Sequence, residues 1–184
     1  KMKIYFDGCS WTEGIELENQ EEERYSRFIC NELGAEETNL GMRGGSNDRI
    51  VRNLLVENNI EDYDLAFIQM TLPARTEYCD DKWIKVNPAN NFSMWLHGED
   101  GDIRRIIEKF PHHSDFWKYW YMNVSNQKYF ETKEKIYFQT IRNHCKVNGV
   151  PLILSTINNW SKLDFDFYLN SKGLKVHQYG HPTK

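Results

Sequence analysis

Short apolar segments, each running into a glycine-rich or polar loop and then into a stretch of helical spacing, recur along this chain. This alternation restricts its fold more than any other feature. Lys3 to Phe6 reads as a short buried strand, closed by Asp7-Gly8. The acidic run Glu18 to Glu23 is a solvated loop and helix start. Tyr25, Phe28, Ile29 and Leu33 then fall at helical spacing, with Gly34 as the C-cap. Thr38 to Leu40 is a second strand and Gly41 to Ser46 a glycine-rich loop. Asn47 or Ser46 caps a helix whose apolar face is Ile50, Val51, Leu54 and Leu55. Leu65 to Gln69 is a third strand, followed by Pro73. Ile136, Tyr137, Thr140, Ile141 and His144 share one face of a later helix, which Asn148-Gly149 stops. Pro151 to Thr156 is a fourth strand, Asp164 to Leu169 a further helix, and Val176 the centre of a short fifth strand.

Strands alternating with helices imply right-handed crossovers and a parallel sheet. The expectation is a doubly wound three-layer α/β/α fold with the flavodoxin-like strand order 2-1-3-4-5. Ligands of such sheets bind beyond the carboxyl ends of the strands. Here those ends are the loops Gly8 to Gly14, Gly41 to Asn47, Met70 to Arg75, Ser155 to Trp160 and His177 to His181. Residues 80 to 130 interrupt the alternation and carry Trp83, Trp95, Trp117, Tyr119, Trp120 and Tyr121. They are read as an aromatic-rich insertion or helical cap within one domain spanning residues 1 to 184.

With 40% hydrophobic and 27% charged residues, the composition is that of an ordinary globular domain. A formal net charge of −4 gives no sign of a basic face, which argues against a nucleic-acid partner, while the scattered basic residues leave room for a local basic patch. No apolar run is long enough to span a bilayer, so no membrane partner is expected. Cys9, Cys30, Cys79 and Cys145 match no zinc spacing and no disulfide framework, which suits reduced thiols in the cytoplasm. Met2 stands directly before the first strand, so the reading expects no targeting segment.

The chemistry concentrates on three features. Ser10 directly follows the first strand, where a hydroxyl projects into the cleft and a following turn offers backbone N–H groups to an anion. That suits a nucleophile whose own amide helps form an oxyanion hole; the plainer reading is a serine that caps the next turn. Gly44 and Gly45 allow close backbone approach, and Gly44 N–H is a second oxyanion donor. Asn47 offers a third from its side chain, or else serves as an N-cap. His181, in Gly180-His181-Pro182, lies beyond the last strand as a general base for Ser10, with His177 as a competitor. His112 and His113 point apart on any regular element, so no metal site is expected there.

Gly8-Cys9-Ser10 after strand one, Asn39-Leu40-Gly41-Met42-Arg43-Gly44 after strand two, and Gly180-His181-Pro182 near the end resemble three blocks of the SGNH hydrolases, the GDSL-like esterases and lipases. Cysteine replaces the aspartate of the family's Gly-Asp-Ser. The third block, Gly-x-Asn-Asp, has no counterpart; Gln69-Met70-Thr71-Leu72-Pro73-Ala74-Arg75 stands in its place. Gln178 occupies the position of the triad acid. The resemblance implies a cofactor-free serine hydrolase of an ester, an acetyl or acyl group on a carbohydrate or other small molecule. Ser10 would attack, His181 would take its proton, and the amides of Ser10 and Gly44 would hold the oxyanion. Thr71 or Asn47 would replace the missing asparagine donor. Trp11, Arg43 and Arg75 are the expected substrate-binding residues.

A second reading keeps the fold and loses catalysis, leaving a module that binds a glycan or protein through the aromatic insertion. A nucleotide binder is the weakest fit. Gly41 to Asn47 lacks both the lysine of a P-loop and the dinucleotide glycine spacing.

Overall fold

The computed structural model describes residues 1–15, 17–80, 82–88, 94–97, 112–158 and 160–168. The chain folds as β1 Lys3–Asp7, α1 Ser10–Glu13, α2 Gln20–Glu23, α3 Tyr25–Leu33, β2 Glu36–Asn39, α4 Asn47–Arg52 and β3 Leu65–Met70. There follow β4 Thr76–Asp80, β5 Lys82–Pro88, β6 Met94–His97, α5 His113–Tyr119, α6 Gln127–Val147, β7 Leu152–Thr156 and β8 Phe167–Tyr168. β2, β1, β3, β7 and β8 form one sheet in that order, all parallel. Counted within this sheet, the order is 2-1-3-4-5.

Strand alternation sorts the core onto two faces. Tyr5, Ala66, Ile68, Met70 and Leu154 pack with Ile50 and Leu54 of the α4 segment and with Phe138, Ile141 and Cys145 of α6. Ile4, Phe6 and Phe67 pack on the other side with Cys30, and with the half-buried Tyr25 and Ile29 of α3. The three layers are therefore α3, the sheet, and α4 with α6.

Several helical faces are rotated from those expected. On α3 the residues Phe28 and Leu33 are exposed while Cys30 is buried, and Gly34 closes the helix at φ +61°. After α4 the backbone widens into a π turn over Asn53–Glu57, which leaves Leu54 inside and turns Leu55 out. On α6 the inward side chains are Glu134, Phe138, Ile141 and Cys145, and Ile136 faces out. Ser46, not Asn47, caps α4, its hydroxyl accepting Arg49 N–H at 3.2 Å.

Two expectations are corrected. The segment expected as a helix from Asp164 is extended, and Phe167–Tyr168 is the fifth strand. Leu163, Asp164, Phe165 and Asp166 alternate with period two. Phe165 enters the core, and Asp166 exchanges hydrogen bonds with Leu154 at the edge of β7. Val176 lies outside the described residues. The interruption of the alternation begins before residue 80: β4, β5 and β6 form an antiparallel sheet, with Glu77 opposite Lys85 and Lys85 opposite His97. One side of its first hairpin meets α4 and the loop before it. Arg52 reaches Glu77 at 2.8 Å and stacks on Trp83 at 4.3 Å. From the other side Tyr78 meets Trp117.

The deepest polar contact lies where β1 ends. Asp7 is fully buried on the α4 side. Its carboxylate accepts from Arg49 at 2.9 Å, Asn53 Nδ2 at 2.9 Å and Gly8 N–H at 2.7 Å. Burial pushes this carboxyl above its ordinary range, against the pull of Arg49, Asn53 and Gly8. Arg49 also donates to Leu40 C=O, so one guanidinium ties the ends of β1 and β2 to α4. On the opposite side, Glu37 of β2 is held by Arg24 at 2.8 Å, Arg27 at 2.8 Å and the Ser26 hydroxyl. Burial alone would raise Glu37, but the hydrogen bonds and charges of Arg24, Ser26 and Arg27 outweigh it and hold the carboxyl below its ordinary value of 4.5.

Two outcomes follow from these pairs. Arg49→Met strands a buried carboxylate and should cost about 3–5 kcal/mol in urea unfolding at neutral pH. Adding Asp7→Asn should recover part of that loss; a double variant no more stable than Arg49→Met would contradict the pairing. Because the folded Glu37 resists protonation, its contribution is present above 4.5 and is lost as pH falls through the lower folded value. The melting temperature of the wild type should therefore fall more steeply than that of Glu37→Gln between about pH 5 and pH 3. Parallel profiles would show that Glu37 is not held ionised.

Candidate functional site

The turn after β1 is set by what packs against it. Asn39, the last residue of β2, donates from Nδ2 to Thr12 C=O at 2.7 Å and to Ser26 Oγ at 2.7 Å, and accepts Gly41 N–H at 2.8 Å. This clamp presses Gly41 onto α1. A Cβ on Gly41 would stand 2.4 Å from Glu13 N and 2.7 Å from Thr12 C, both backbone atoms that cannot yield. From below, Gln69 of β3 accepts the Cys9 thiol at 3.2 Å and the Thr12 hydroxyl at 3.1 Å, while its buried Nε2 has no partner among the described residues. Met42 N–H donates to Gly8 C=O at 3.1 Å, joining the loop after β2 to the loop after β1.

These contacts fix Ser10 as the first residue of α1, 8% exposed. Its C=O accepts from Gly14 and Ile15. Its hydroxyl and its amide have no hydrogen-bond partner among the described residues. Gly44 adopts φ +68°, a conformation that favours glycine, and its amide is likewise unoccupied among the described residues. One hydroxyl and two N–H groups thus stand free on adjoining loops at the carboxyl edge of the sheet.

Asn47 and Thr71 are placed differently from expectation. The Asn47 carboxamide grips the Thr71 main chain in both directions, Nδ2 to Thr71 C=O at 3.0 Å and Thr71 N–H to Oδ1 at 2.8 Å. Its carboxamide oxygen and nitrogen are both engaged in holding the end of β3 against α4. Thr71 is fully buried, and its hydroxyl accepts Arg75 Nη1 at 2.9 Å. Neither side chain is open to the cleft. Trp11 is half-buried and Arg43 exposed. Arg75 is half-buried, with its Nε buried and unpartnered among the described residues. His181, His177 and Gln178 lie outside the described residues.

An open groove of about 820 Å³ runs along the same edge, beyond β3 and β7. Leu72 to Ala74, Phe130 and the largely exposed Trp160 line it, and no residue of the loops after β1 and β2 does. Glu134 stands in its wall, holding Asn158 Nδ2 at 2.8 Å and the Ser161 hydroxyl at 3.1 Å. Burial pushes its carboxyl up, against the pull of those two donors. The aromatic segment borders this region: Trp117, Trp120, Tyr121 and Phe130 pack on one another, and Tyr121 donates to Ala74 C=O at 2.6 Å. Among the described residues no helix is long and apolar enough to cross a membrane.

Sequence reasoning missed the roles of Asp7, Gln69 and Glu134. The first two carried a signal, since each is a polar residue inside or closing an apolar strand. Glu134 lies four residues before Phe138 and seven before Ile141, on the face that turns inward.

No family model and no curated protein matches the chain. Solved structures do match, loosely. A protein from Desulfitobacterium hafniense described as a lipolytic protein of the G-D-S-L family has 12% identity and a TM-score of 0.34, over 84% of this chain and 77% of that one. A catalytic mutant of the acetylxylan esterase Axe2 from Geobacillus stearothermophilus has 11% identity and a TM-score of 0.34, over 83% and 75%. The lipase/acylhydrolase from Enterococcus faecalis has 18% identity and a TM-score of 0.33, again over 83% and 75%. The chain is thus similar, at low identity, to proteins bearing GDSL-lipase and acetylxylan-esterase descriptions.

Proposed function

We propose that this protein is a serine hydrolase of small esters, with Ser10 as nucleophile. The observation that carries the reading is the set of free groups: the Ser10 hydroxyl with the Ser10 and Gly44 amides, on loops that two buried polar clusters hold together. A free hydroxyl at a helix start, with its own amide unoccupied and a second unoccupied N–H on the adjoining loop, suits attack on a carbonyl whose oxygen gathers negative charge. In this scheme Ser10 Oγ bonds to the acyl carbon and its proton passes to His181. The two amides hold the tetrahedral oxyanion, the alcohol leaves with the proton from His181, and water then releases the acyl group by the same route. His181 is assigned by the family resemblance. Thr71 and Asn47 act here as positioning residues that keep the end of β3 against α4, so the oxyanion hole has two donors. Each missing donor costs on the order of 10²–10³ in turnover, and an imidazolium without a carboxylate partner costs more, so the enzyme is slow. Trp11, Arg43 and Arg75 border the loops as substrate contacts. The similarity to an acetylxylan esterase makes acetylated carbohydrates a first substrate class to try.

Hydrolysis of short activated esters and of acetylated sugars tests this. Ser10→Ala should lower kcat by on the order of 10³ or more. It should leave the melting temperature nearly unchanged, because the hydroxyl has no partner to lose. His181→Ala should lower kcat and remove the rise of rate with pH near the ordinary imidazole range. Wild type without activity, or Ser10→Ala with wild-type rates, would overturn the assignment and favour binding along the groove beyond β3.

A further inference from the structure

The cations around this site divide into two groups. Arg49 is paired with Asp7, Arg52 with Glu77 and Glu57, and Lys133 with Asp48. Arg43, Arg75 and Lys85 have no ion pair among the described residues. Lys85 is the least expected of the three. It is half-buried on β5, and Nζ reaches over to the loop after β2, donating to Arg43 C=O at 3.2 Å. Burial lowers its ammonium pKa, and the nearby Arg49 and Arg43 lower it further, against Glu13 and Glu77. Of the two carboxylates that act on it, Glu77 is committed to Arg52, and Glu13 accepts Arg43 N–H.

Arg75 stands one residue before β4, and Thr76 of β4 pairs with Val86, the neighbour of Lys85. Its guanidinium gives one N–H to the Thr71 hydroxyl and keeps a buried Nε without partner among the described residues. A half-buried cation stripped of water without a counter-charge is costly. The remaining N–H groups of a planar guanidinium suit the oxygens of phosphate or carboxylate. Both cations border the loops that carry Ser10, Gly44 and Thr71.

We propose that the ester cleaved at Ser10 carries an anionic group of its own, a phosphate or a carboxylate, which Lys85 and Arg75 bind. The proposal rests on the esterase reading for the reaction, and on cations without an ion pair among the described residues for the charge.

Ester pairs that differ in one anionic group test it. Mono-4-nitrophenyl glutarate is compared with its neutral methyl ester, and 1-acetylglycerol 3-phosphate with 1-acetylglycerol. The charged member should have the higher kcat/KM by about tenfold at low ionic strength, the size of one charge-assisted hydrogen bond. The ratio should shrink with added salt, and Lys85→Gln and Arg75→Gln should each reduce it. The glutarate and glycerol pairs separate carboxylate from phosphate as the preferred group. Equal kcat/KM within both wild-type pairs would overturn the proposal without any variant. Calorimetric titration with glutarate and inorganic phosphate separates the two readings. Anion binding that is lost in the double variant, with no ester hydrolysed, would keep the anion site and overturn the esterase reading. Hydrolysis without charge preference would do the reverse, and neither hydrolysis nor anion binding would overturn both.

Discussion

The buried pair between Asp7 and Arg49 sets the geometry on which the rest of the site depends. Asp7 closes β1 three residues before Ser10, on the face that packs against α4. A carboxylate in that position has no water, so its partners must come from the protein. Arg49 and Asn53, one turn apart on the α4 segment, supply them, and Arg49 also holds Leu40 C=O. The approach of α4, the exit of β1 and the exit of β2 are therefore fixed together. Such a pair is weak evidence for net stability, since desolvation offsets much of the attraction. Its consequence here is positional.

Alternation along the strands explains why a second cluster holds the other side. Asp7 faces α4, while Gln69 faces α1 and α3. Gln69, Thr12, Tyr25, Asn39 and Ser26 form a continuous run of hydrogen bonds behind α1, ending at Glu37 and its arginines. The four-residue helix that begins with Ser10 is too short to be stable by itself. It is held because Asn39 ties its backbone, Gln69 supports its floor and Gly41 lets the neighbouring loop touch it. Polar groups in both clusters are largely spent on one another, which leaves the Ser10 hydroxyl, the Ser10 and Gly44 amides and a few basic side chains facing the edge.

What was legible in the sequence follows from this physics. Four strands of the parallel sheet, and the glycines that close them, could be read because apolar runs ending in Asp7-Gly8, Gly41 and Pro73 have few other readings. Strand boundaries shifted by one or two residues. Helical faces were misjudged where tertiary packing or a π turn rotated them, as at Leu55 and Ile136. The alternation Leu163 to Asp166 is hard to read as a strand because the segment is short and the pairing of β8 with β7 spans only two residue pairs. The small antiparallel sheet from Thr76 is hard to read because the adjacent apolar residues Trp83 and Ile84 break a period of two. At the site, position marked Ser10 and the loop of Gly44. The double grip of Asn47 on Thr71 could not be read, because it joins residues 24 apart through a side chain that suits a cap equally well.

The central claim is that Ser10 is the reacting atom's owner. Its most direct test is the site of covalent capture by a fluorophosphonate, read by mass spectrometry of the tryptic peptide from Ile4 to Arg24. The account predicts a phosphonyl adduct on Ser10, with fluoride displaced, that prior heat unfolding prevents. An adduct on another residue, or an unmodified peptide after prolonged exposure, would contradict it.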